Sequence, residues 1–108
     1  MTDKEVADMI REAGLHTAYY QYPEKEVPPL PYTVYYYPNT DNFGADDKVY
    51  TKVNVLNIEL YTKDKSPTVE AQLETVLESH HLFWNKTEAY IDSEHMYEVL
   101  YEMEIING

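Results

Sequence analysis

The sequence predicts an α+β fold: an antiparallel β-sheet with two α-helices packed on one face, in the order α-β-β-α-β(β), with a long β-hairpin loop. Three observations predict it. Two stretches carry helix caps followed by an apolar stripe at helical spacing, and three runs read as strands, one from its β-branched and aromatic content and two from alternation. The connections have a hairpin character, with no sign of the crossover units that a parallel sheet requires. The 108 residues suit one domain, 1–108, large enough to bury roughly 60–70% of the unfolded surface. An apolar share of 44% in periodic runs argues against wholesale disorder.

The first helix begins at Thr2-Asp3-Lys4-Glu5, a capping box in which the Thr2 hydroxyl and the Glu5 carboxylate satisfy free amides reciprocally. Val6, Met9, Ile10 and Ala13 then share one face, and Gly14 suits the left-handed residue past the helix end. From Leu15 to Pro31 the signals break up. Pro23, Pro28, Pro29 and Pro31 forbid helix and favour an extended lead-in to the first strand, with a polyproline ligand as the alternative.

Tyr32–Tyr37 is aromatic and β-branched, a strand. Val49–Thr62 is a longer one whose alternation changes phase: Val49, Thr51, Val53 and Val55 share one face, Leu56, Ile58 and Leu60 the other. The change implies a bulge near Val55–Leu56 or cover on both faces, from another subunit for example. Ser66 then caps a second helix, Pro67 fits its first position, Glu70 and Glu74 favour its positive end, and Val69, Leu73, Val76 and Leu77 form its stripe. "HLFWNKTEAYID" reads as a short strand plus an irregular connection. In the last strand Tyr97, Val99, Tyr101, Met103 and Ile105 alternate with Glu98, Glu102 and Glu104, giving one acidic face.

Twenty acidic residues against eight basic leave a net charge of −12. Such a surface repels phosphate backbones and anionic membranes. Its simplest role is solubility; its sharper role is to let nucleic acid pass without sticking. Without cysteine there is neither disulfide nor thiolate metal site. No apolar stretch approaches the ~20 residues that span a bilayer, and the acidic, amphipathic N-terminus is unlike a signal peptide, so the expected place is the cytoplasm.

The loop "NTDNFGADDKVY" invites two calcium readings, an EF-hand beginning at Asn39 and Asp41 and a loose surface site through Asp41, Asp46 and Asp47, the latter set against a simple solvated turn. An EF-hand alignment fails, because Phe43 and Tyr50 fall where ligands belong. His16, His80, His81 and His95 have no zinc spacing, no serine has a nucleophile context, and three glycines make no phosphate loop. No enzymatic function, cofactor or metal is expected. The twelve tyrosines suit both a half-buried sheet and an interface. Phe43, between Asn42 and Gly44 on a polar loop, fits an interface anchor, with Asn42, Asp46 and Asp47 as polar contacts around it.

"LPYTVYYYPNTDNFGADDKVY", "NIELYTKDKSPTVEAQLETVLESHHLFW" and "YIDSEHMYEVLYEMEI", from Leu30 to Ile105, together resemble the tail-completion proteins of long-tailed phages and prophages of Gram-positive bacteria. The resemblance implies a structural protein of head-to-tail joining, formed in the host cytoplasm and ending in the virion. Such proteins form a ring, usually of six subunits, on the head-proximal end of the tail tube. The implied partners are further copies of itself, the tail tube protein and a head-completion or connector protein. DNA passes through the lumen unbound. Two alternatives stand beside it: an adaptor on the portal side, and a small acidic module that mimics DNA.

Overall fold

A computed structural model describes residues 1–45 and 47–106; of Phe43, Ala45, Val49, Tyr50 and Thr51 it describes the backbone alone. The elements run α1 (Asp3–Glu12), β1 (His16–Tyr19), a 3-10 turn (Glu24–Glu26), β2 (Tyr32–Tyr36), β3 (Phe43–Ala45), β4 (Lys48–Thr51), β5 (Val53–Thr62), α2 (Pro67–Ser79), β6 (Trp84–Ile91) and β7 (Met96–Ile106). The capping box forms as the sequence requires: the Thr2 amide donates to Glu5 Oε1 at 3.0 Å and the Glu5 amide to Thr2 Oγ1 at 3.2 Å. Gly14 takes φ +79° just past the helix, where a side chain is strained. Ser66 caps α2 by accepting from the Val69 amide, with Pro67 opening the helix.

Five strands form one sheet in the order β1-β2-β5-β7-β6, and β3 and β4 pair separately. The α+β class is as the sequence predicts, but the single strand expected over Val49–Thr62 divides at Lys52 into β4 and β5, which lie in separate sheets, and two further features differ. A strand lies ahead of the expected first one: β1 pairs with β2 in parallel, His16 opposite Tyr32. The sheet is therefore mixed. The proline-bearing segment between them carries the chain back to the start of the sheet, so that β2 re-enters in the direction of β1. The second difference is β6, which is a full eight-residue edge strand with β7 along its whole length.

Alternation sends Leu56, Ile58 and Leu60 of β5 and Val99 and Tyr101 of β7 to one face. There they meet Val6 and Ile10 of α1 and Leu73 and Leu77 of α2, all fully buried. Each such aliphatic side chain contributes about 1.5–3 kcal/mol of transfer free energy. Both helices thus cover one face and leave the other without helices. The register of β5 on β7 runs unbroken from Val53 opposite Ile106 to Thr62 opposite Tyr97, so no bulge interrupts Val55–Leu56. The phase change in the sequence is instead a change of face: Val53 and Val55 stand half-buried on the helix-free side.

Candidate interaction surface

The hairpin that carries the sequence-predicted contact residues continues the β2–β5 ladder. The Val55 amide donates to the Asn39 carbonyl at 3.0 Å, the Asp41 amide to the Val53 carbonyl at 2.8 Å, and Thr40 bridges Asn54. Beyond this neck β3 and β4 form a two-stranded ribbon, and the molecule reaches 49 Å in its longest dimension. Asn42 is exposed, and its Oδ1 accepts from the Val53 amide at 3.1 Å, so it ties the neck together. Asp47 is exposed in the turn with φ +60°, a conformation that Asp tolerates better than most residues. The Phe43 side chain and Asp46 lie outside the described residues.

The four histidines do not gather at one place: His80 and His81 follow the end of α2, apart from the other two. His16 is on β1, His95 is in the β6–β7 turn, and His80 Nε2 lies 3.2 Å from Glu12 across the helices. Among the described residues no three His, Asp or Glu side chains converge as metal ligands. A shallow trough of about 830 Å³ lies between the end of α1 and α2; its one titratable group, Glu12, is the partner of His80.

Charge separates the two faces of the sheet. On the helix side, Glu70 is 3% exposed, yet it is held by Lys65 Nζ at 2.6 Å and Lys86 Nζ at 3.1 Å. Lys86 also bonds Glu74 at 2.7 Å and lies 5.6 Å from the centre of the Trp84 ring. The Tyr101 hydroxyl donates to Glu74 at 2.6 Å. Burial pushes the Glu70 carboxyl up, but the two lysines outweigh it and hold the group below the usual glutamate range. Burial and then Glu74 push the Tyr101 hydroxyl up. Every acid here has a matching donor.

The helix-free side is built differently. Strand parity places Glu59 of β5 and Glu98, Glu102 and Glu104 of β7 there. The single lysine of β5, β6 and β7, Lys86, points the other way. Among the described residues none of these four glutamates has an ion pair. Glu59 accepts from the hydroxyl of Tyr36 at 2.7 Å and from that of Tyr61. Burial and the Glu59 charge raise the Glu98 carboxyl, and a hydrogen bond with Asp41 raises that of Glu104. Asn57, 6% exposed on the same side, gives its amide to Tyr36 while its Oδ1 has no partner. At one end a cleft of about 420 Å³ opens between Val55, His81, Phe83, Asn85, Glu102 and Glu104. Phe83 is 83% exposed beside it.

The tyrosines divide as parity demands. Tyr19, Tyr35 and Tyr37 pack together on the helix side, where Tyr37 donates to Asp3 at 2.7 Å. Tyr20 stacks on Tyr36, and Tyr22 meets Tyr32, which meets Tyr61, on the other. Tyr22 donates to the Thr33 carbonyl, and burial followed by its neighbour Tyr32 pushes its hydroxyl up to about 12. The acidic side was legible in the alternation of β7; Asn57, Phe83 and the cleft were not. They depend on which strands lie beside β7. No protein-family model and no curated protein matches the chain.

Proposed function

We propose that this chain is a structural subunit of phage head-to-tail joining. In this reading it forms a ring at the head-proximal end of the tail tube, stops tube polymerisation and joins the tail to the head. The observation that carries the reading is the resemblance spread from Leu30 to Ile105, which takes in β2, the hairpin, β5, α2, β6 and β7 rather than one local motif. Support comes from a long hairpin arm with its own ribbon, from two outer strands with a free edge in the sheet, β1 and β6, and from a sheet face without helices. Copies of the chain, the tail tube protein and a connector protein are the proposed partners. Virion and host cytoplasm are the proposed locations, and DNA crosses the lumen past an acidic wall. The subunit catalyses no reaction. Among the described residues no helix is long and apolar enough to cross a membrane.

In the arm, Asn42, Phe43, Asp46 and Asp47 are the proposed contacts to a neighbouring subunit or the tube end. Phe43→Ala is expected to leave the far-ultraviolet circular dichroism and melting of the purified chain unchanged while lowering the fraction of tailed particles; loss of folding removes the anchor role. The test of the whole reading is electron microscopy of particles made by the encoding phage with this gene deleted. Normal heads beside unattached tails of irregular length are expected. Heads that leak DNA beside tails of correct length move the subunit to the portal side, and normal virions overturn the reading. A second reading, a DNA mimic, draws on the one-sided acids Glu59, Glu98, Glu102 and Glu104. Such a mimic leaves heads and tails joined in the deletion strain.

A further inference from the structure

We infer that the helix-free face of the sheet is a docking surface for a cationic protein segment, one that presents arginine or lysine side chains around an aliphatic residue. The argument is one of complementarity. The surface offers carboxylates without cations: Glu98, Glu102 and Glu104 have no cationic partner among the described residues. Between them and Tyr36 lies Asn57, 94% removed from solvent, with its Oδ1 accepting nothing. A cluster of like charges is costly, and a donor-rich cationic occupant relieves it. The cleft beside Phe83 and Val55 supplies the apolar half of the site. Its exposed phenyl ring, next to Glu102 and Glu104, suits an aliphatic side chain flanked by guanidinium groups, which also stack on aromatic faces.

Other occupants fit less well. A second copy brings another net charge of −12 toward the same acids. A divalent cation lacks a converging ligand set among the described residues. Nucleic acid is repelled. Within the assembly reading, on which the biological setting of this inference rests, the occupant is a basic segment of another junction component rather than the chain's own neighbour.

The test uses a blocked peptide of alternating arginine and leucine, titrated into the full chain and followed by amide nitrogen–proton shifts. Shifts confined to β5, β7 and residues 83–85 are expected. The double variant E102Q/E104Q is expected to weaken binding about tenfold, the sum of two exposed charge pairs. Phe83→Ser is expected to weaken it about fivefold. The control E24Q/E26Q removes the same charge from the exposed 3-10 turn and should cost no more than about twofold. Equal weakening by the two double variants, or shifts scattered over the surface, overturns the inference. So do the same shifts produced by calcium chloride alone or by raising the protein concentration alone. Localised binding together with normal virions in the deletion strain upholds this surface and removes the assembly reading; scattered binding with tail-less heads does the reverse.

Discussion

The two faces of the sheet use the same chemistry to opposite ends. Toward the helices, Glu70 and Glu74 sit among Lys65, Lys86 and Tyr101, and burial is tolerable because each carboxylate in the network meets a donor. Away from the helices, Glu98, Glu102 and Glu104 share a face with an orphaned Asn57 oxygen and no lysine of β5–β7. On the first face the Glu70–Glu74 network is answered within the chain. The other has unmet acceptors and a cleft. The contrast teaches that acidity alone says little: the same residue type is cement on one side and an unanswered charge on the other.

The comparison can be broken or sharpened by mutation, beginning with the core. Leu60→Ala, beneath the helices, is expected to cost about 2–5 kcal/mol in urea unfolding. Leu100→Ala, half-buried on the open face, should cost about 1 kcal/mol. Equal costs would mean that the open face is as tightly packed as the core.

Glu70→Gln should cost about 1–2 kcal/mol, a figure discounted because Lys65 and Lys86 are each 37% exposed. Glu98→Gln should stabilise at pH 7 by up to about 1 kcal/mol, because it removes a desolvated charge facing Glu59. The pH profiles should have opposite signs. Glu70 lies below its ordinary value of 4.5, so its contribution is complete above pH 4.5 and fades as pH falls through the folded value. Glu98 lies above 4.5, so the folded chain holds that proton more tightly and gains stability as pH falls from above the folded value to 4.5. Unfolding free energies of the two variants between pH 3 and 7, set against the parent at roughly unit steps, measure both slopes. Parallel profiles would erase the distinction between the faces.

The smallest effect belongs to Phe83→Ser. With the ring 83% exposed, the melting free energy should stay within about 0.5 kcal/mol of the parent. A larger loss would make Phe83 part of the fold rather than part of a surface.

Much of this was legible along the chain. The Thr2–Glu5 box, Ser66-Pro67 and the alternation of β7 specify their local structure through contacts within a few residues, and all three form. Strand β1 was not legible, because "HTAY" is too short to establish a period and its pairing with β2 depends on where the proline segment turns. Glu70 reads in sequence as a helix-start residue; its second lysine, Lys86, arrives from β6, sixteen residues on.

The sequence by itself determined the α+β class, the helix starts, the net charge and which residues of β7 share a face, since all of these follow from composition, caps and a period of two. Only the tertiary structure decided that Glu70 is neutralised while Glu98 is not, and that Asn57 and Phe83 join the acidic strip. Those outcomes depend on strand order and register, which are set by distant segments competing for the same apolar surface.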